Sequence, residues 1–97
     1  MRRSEWADPA ISDLRSIRID LEQLYSTALA GSVTETLIAA ARWLSDHPHA
    51  GASLGYARYR KWKPRGTRYV LIYEPIADGV RILRVRRDRN DWRPAPA

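Results

Sequence analysis

The sequence predicts an α+β fold, a helical hairpin packed on a small antiparallel sheet, and three observations lead there. Apolar residues recur every three or four positions from Ile11 to Leu44, which is the period of an amphipathic helix. From Arg58 onward the period falls to two, with aromatic and β-branched residues in short runs between turn signals. A chain of 97 residues has room for one core, so the apolar stripe of the helices must be buried on one face of the sheet.

The opening residues are polar except for Trp6, and periodicity alone supports a strand there only weakly. Asp8 stands in a capping position, and Pro9 follows where a first-turn residue needs no amide donor. Ile11, Leu14, Ile17, Leu21, Leu24, Tyr25 and Ala28 then form one apolar stripe, while Asp13, Arg15, Arg18, Asp20 and Glu22 form the other face. Gly31 is expected to end this helix, and Ser32 with Glu35 three residues later makes a capping box for a second. The second helix carries Val33, Leu37, Ile38, Ala41 and Leu44 on one side and is expected to stop near Asp46, ahead of Pro48. Residues from Asp46 to Tyr56, with two His, Pro48 and glycines at 51 and 55, read as a connecting loop. Three antiparallel strands are expected after it, at Arg58 to Lys63, Tyr69 to Tyr73 and Val80 to Val85. Pro64-Arg65-Gly66 and Ala77-Asp78-Gly79 supply the turns. The whole chain, 1–97, is expected to be one domain with a tail that frays after about residue 92.

Charge divides unevenly. Residues 1–50 hold five basic and seven acidic side chains, a balance of −2, whereas residues 51–97 hold twelve and four, a balance of +8. The positive half calls for an anionic partner: nucleic acid, an acidic protein segment or a nucleic-acid enzyme. Fifteen of the seventeen cations are Arg, which suits planar contacts to carboxylate or phosphate. The absence of Cys excludes disulfides, thiol catalysis and cysteine-ligated zinc. With no leader-like opening and no long apolar run, a cytoplasmic protein with no membrane segment is expected. His47 and His49 lack the carboxylate company a metal site needs, so no metal and no cofactor are expected. Gly51 and Gly55 are not followed by the Lys-Ser/Thr ending and helix of a phosphate loop.

Several motifs, in order, resemble the RelE/ParE superfamily of toxins from bacterial type II toxin-antitoxin systems. They are Ala10-x-x-Asp13-Leu14-x-x-Ile17, Leu44 with Pro48 and Gly51, Arg60-x-Trp62, Tyr69-Val70-Leu71-Ile72-Tyr73-Glu74, Asp78-Gly79-Val80, Ile82-Leu83-Arg84-Val85 and Asp91-Trp92. The resemblance runs from about Trp6 to Trp92. It implies that Arg2 to Trp6 forms a strand at the sheet edge, and that the elements follow in the order strand, helix, helix, three strands.

RelE-like members cut messenger RNA on the ribosome, ParE-like members inhibit DNA gyrase, and both are neutralised by an antitoxin that wraps around them. RelE-like members place an Arg directly after the first Tyr of a Tyr-x-x-x-Tyr strand and a Tyr or His near the C-terminus. Here Val70 occupies the Arg position, Arg87 stands where many relatives have His, and Trp92 falls near the terminal Tyr. An indole cannot serve as an acid catalyst, so the resemblance favours the ParE-like branch with no catalytic residues. It implies a cognate antitoxin in a hetero-oligomer and DNA gyrase as target. The alternative is a ribosome-dependent endoribonuclease acting on mRNA. A plain nucleic-acid-binding module is a third reading, motivated only by the basic half.

Candidate contacts to target or antitoxin are Arg58, Arg60, Lys61, Lys63 and Arg65, then Arg84, Arg86, Arg87 and Arg89, with Trp92 as an aromatic anchor. The competing explanation is a charged strand face that discourages edge pairing. Arg84, set among apolar neighbours, needs a partner, and Glu74 on the adjacent strand is the candidate. Trp62, Trp6 and Trp43 are expected to pack, as are Tyr69 and Tyr73.

Overall fold

The computed structural model describes residues 2–88, so Arg89, Trp92 and the expected frayed tail lie outside the described residues. The elements are β1 (Arg3–Trp6), α1 (Asp8–Leu24), α2 (Thr27–Asp46), β2 (Ala52–Ser53), β3 (Arg60–Trp62), β4 (Tyr69–Ile76) and β5 (Gly79–Arg87). Two helices cover one face of a five-stranded sheet ordered β1-β5-β4-β3-β2. The α+β class and the hairpin-on-sheet layering are as the sequence predicts.

Three details differ. The sheet is mixed, because β1 runs parallel to β5, pairing Arg3 with Gly79 through to Trp6 with Ile82. The helical hairpin carries the chain across to β2 at the opposite edge, and antiparallel steps through β3 and β4 bring it back to β5, which starts beside Arg3 and so runs in the same direction as β1. Part of the expected loop forms β2, which pairs antiparallel with Arg60 and Lys61. The hairpin also turns at Tyr25–Ser26, not at Gly31-Ser32.

The early turn has a local cause. The amides of Tyr25 and Ser26 both donate to the Leu21 carbonyl, at 2.9 and 3.1 Å, which closes α1. Ser26 then caps α2 by accepting from the Leu29 amide at 3.0 Å. Ala30 is fully buried one turn in. Gly31 sits inside α2 with open space where a Cβ would stand, so the helix bears only the ~1 kcal/mol propensity cost of a glycine. Leu24 and Tyr25, counted by periodicity as core, are 72% and 69% exposed as a result. At the other end of α1 the N-cap is Ala7, without a side-chain bond, and Asp8 occupies the first turn where its charge suits the helix dipole.

The core joins Ala10 of α1, Leu37, Ala41 and Leu44 of α2, Leu71 and Tyr73 of β4, and Val80, Ile82 and Val85 of β5. Alternation along β4 sends Leu71 and Tyr73 toward the helices and Val70, Ile72 and Glu74 to the uncovered face. A register shift at Ile72/Tyr73 leaves Leu83 without an opposite residue, so that Arg84 faces Ile72 while Ile82 faces Tyr73. Trp62 stacks on Trp43 at 5.1 Å, and Trp43 on His47 at 4.2 Å, a ladder that ties β3 to the end of α2.

The Tyr73 hydroxyl is a buried fastening. It donates to the Pro48 carbonyl at 2.8 Å and accepts from the Gly51 amide at 2.9 Å, and burial pushes its pKa up. A Cβ at Gly51 would stand 2.7 Å from that hydroxyl, which is why a residue without one occupies the position. Tyr73→Phe is expected to cost about 1–2 kcal/mol in urea unfolding, because it strands a buried amide and a carbonyl. An unchanged midpoint would show that these bonds contribute nothing.

Candidate functional site

The uncovered face of the sheet carries the charge that the sequence concentrates in its second half. On the β1 side Arg81 spans two carboxylates, with Glu5 at 3.0 Å and Glu74 at 2.9 Å, and these bonds hold its pKa up. Glu74 is therefore the partner of Arg81 and not of Arg84. Lys61 of β3 lies across from Ile72 on one side of β4, and Arg86 of β5 across from Val70 on the other, so cations flank a half-buried apolar centre.

Arg84 pairs with Asp13 of α1. Its Nε and Nη2 donate to the two carboxylate oxygens at 2.8 and 3.0 Å, and the Val85 amide donates to the same carboxylate at 2.9 Å. The reason lies in the sheet: β1 pairs with β5 only as far as Ile82, so beyond it β5 has a bare edge that Asp13 covers. Sequence spacing had no means of finding Asp13, which lies 71 positions from Arg84.

The other predicted residues separate into held and exposed. Arg60 donates through Nη1 to the carbonyls of Gly51 at 2.7 Å and His49 at 3.3 Å. Lys63 pairs with Asp88 at 2.9 Å. Arg58, Lys61, Arg65, Arg86 and Arg87 are exposed and make no ion pair among the described residues. They do not form one patch: Lys61 and Arg86 share the open sheet face, Arg65 is in the β3–β4 turn, and Arg58 is at the far end of β3.

A groove that sequence reasoning missed runs between the hairpin turn and the start of β4. It encloses about 370 Å³ and is lined by Leu24, Tyr25, Leu29, Arg68, Tyr69 and Arg87 among others. Its apolar floor exists because the hairpin turns early and leaves Leu24, Tyr25 and Leu29 uncovered, and its charged lining is two cations, Arg68 and Arg87, against one carboxylate, Asp20. Such a surface suits an amphipathic segment with acidic side chains.

The potential proton-transfer groups lie elsewhere. Tyr73 is committed to two backbone partners on the helix side, and His47 stacks on Trp43 with Nδ1 3.0 Å from the Trp43 carbonyl. Among the described residues no group of three His, Asp or Glu could hold a metal ion, and no helix is long and apolar enough to cross a membrane.

Comparisons with known proteins agree with this architecture. No curated protein sequence matches the chain. The solved chromosomal ParDE toxin-antitoxin system from P. aeruginosa contains a chain with a similar fold at a TM-score of 0.78 and 18% identity, covering 90% of this chain and 96% of that one. The intact E. coli RelBE toxin-antitoxin complex contains another at a TM-score of 0.54 and 17% identity, with the same coverage. The family model described as the ParE toxin of the type II toxin-antitoxin system parDE matches residues 5–92. With nearly its full length inside that match, the chain belongs to the ParE toxin family of type II toxin-antitoxin systems.

Proposed function

We propose that this protein acts in the cytoplasm as a toxin that inhibits DNA gyrase by binding it, without cutting a substrate, and that a cognate antitoxin neutralises it. The observation that carries the reading is the make-up of the open sheet face. Where a ribosome-dependent nuclease of the RelE type has an Arg after the first Tyr of the central strand, this chain has Val70, seated opposite Arg86 and beside Ile72. An apolar centre flanked by Lys61 and Arg86 is suited to a protein surface, and the carboxylate on the same face, Glu74, is taken up by Arg81. The groove of Leu24, Tyr25 and Leu29 with its two cations, Arg68 and Arg87, fits an apolar and acidic antitoxin segment in a hetero-oligomer.

Antitoxin-free protein at micromolar concentration is expected to abolish supercoiling by purified gyrase while leaving translated messages intact. The double variant Lys61→Glu with Arg86→Glu should need about tenfold more protein for the same inhibition. Codon-phased cleavage of messages, with gyrase unaffected, would overturn the reading and establish a ribosome-dependent endoribonuclease.

A further inference from the structure

At the other end of β4 from the antitoxin groove lies a second cleft, of about 500 Å³. It exists because β3 begins at Arg60, opposite Tyr73, so Pro75 and Ile76 of β4 have no β3 partner and leave a notch. The segment before β3 folds beside the notch, where the Tyr59 carbonyl accepts from the Leu54 amide at 2.9 Å. Tyr56 and Tyr59 meet edge to face at 5.2 Å, which holds the Tyr59 ring in place. Ala57, which also lines the cleft, is the one non-glycine among the described residues with positive φ, at 51°. Strained backbone of this kind tends to mark ligand clamps.

The charge in this cleft is uncompensated. Arg58, Arg60 and His49 line it, and no carboxylate does. The comparably covered Arg81 and Arg84 each have a carboxylate, whereas Arg60 is half-buried with only two backbone carbonyls on Nη1. Those carbonyls fix the guanidinium plane without neutralising it, and its remaining donors are not engaged by any described residue. A positioned, unneutralised guanidinium beside a second one is a receptor for a phosphoryl group. The cleft is within the ~300–1,000 Å³ range of small-ligand sites, far larger than a lone carboxylate needs.

We propose that this cleft binds a nucleotide phosphate, with the phosphoryl oxygens on Arg58 and Arg60 and the base against Tyr59. The site is separate from the open sheet face and does not depend on gyrase as the target. Two sources share this chemistry, a free mononucleotide and one nucleotide of a single strand.

The test is an NMR titration of the purified full chain with adenosine monophosphate, inorganic phosphate, adenosine and a short single-stranded oligonucleotide. Saturable shifts are expected at residues 49–60 and 75–77, with the monophosphate binding more tightly than phosphate or adenosine alone. Whichever of the monophosphate and the oligonucleotide binds more tightly at equal concentration identifies the source. Arg58→Ala, at an exposed position that no fold contact requires, should weaken binding about tenfold, and Arg15→Ala on α1 should leave it unchanged. Arg60→Lys should weaken it similarly, with Arg58→Ala deciding the matter if that variant fails to fold. No saturable shift with any probe, an equal loss from Arg15→Ala, or binding of a glutamate-rich peptide in place of the nucleotide would overturn the proposal.

Discussion

Gly79→Ala is expected to be the most damaging single substitution in this chain. Gly79 has φ +153°, a conformation that L side chains rarely adopt, and it opens β5 directly opposite Arg3 of β1. A Cβ there would overlap the Arg3 carbonyl group and lie 2.9 Å from the Arg3 nitrogen. The obstacle is backbone, so no rotamer change relieves it. Strain and lost strand pairing together should cost more than about 3 kcal/mol, a large share of the ~5–15 kcal/mol that stabilises a domain. The melting temperature should fall by about 12 °C or more. Hydrogen exchange should show Arg3 to Trp6 losing protection, with Glu5 released from Arg81. A variant within about 1 kcal/mol of the parent would mean that the β1–β5 edge tolerates displacement.

Asp13→Ala should have the next largest effect. The carboxylate receives Arg84 and the Val85 amide, and it closes the bare edge of β5 where β1 has ended. Removing it leaves an amide unpaired beside a partly covered guanidinium, at a cost of about 2 kcal/mol. The same site governs acid stability. Hydrogen bonding from Arg84 holds the Asp13 carboxyl below its ordinary value of 3.8; burial opposes this, and the Val85 amide assists it. A carboxyl depressed in the folded state contributes stability above its unfolded pKa and loses it as pH falls through the folded value. The protein should therefore weaken as pH drops below about 4, and Asp13→Asn should flatten that part of the profile. Asp78, depressed by its bond to Arg3, acts in the same direction and the same window. Gyrase inhibition per folded molecule should be unchanged in Asp13→Ala, because Arg84 is turned to the helix. A proportionate loss of inhibition would place Arg84 on the target surface instead.

The two layers and the identity of most core positions were legible because helical and strand periods are local properties. Leu37, Ala41, Leu44, Leu71, Val80, Ile82 and Val85 lie on the buried stripes that spacing indicates. The hairpin turn falls six residues before the expected one because Gly31-Ser32 carries a stronger local stop signal than Tyr25–Ser26. What selects the earlier turn is the burial of Ala30 and the bonding of two amides to Leu21, neither of which spacing reveals. The groove at Leu24, Tyr25 and Leu29 was missed for that reason.

Among the cations, counting located the basic half but could not sort its members. Arg84 and Lys61 look alike in sequence, yet one is spent on Asp13 and the other faces solvent. By itself the sequence determined the fold class and the segregation of charge, which follow from residue type and short spacing, and the ParE family, which follows from the resemblance of its ordered motifs and the match over residues 5–92. Tertiary structure alone decided that β1 runs parallel to β5, that Asp13 seals the strand edge and that Arg60 stands unneutralised in a cleft. Each of those depends on contacts between residues far apart in the chain, where pairing is set by chain reversal and burial and leaves no periodic trace.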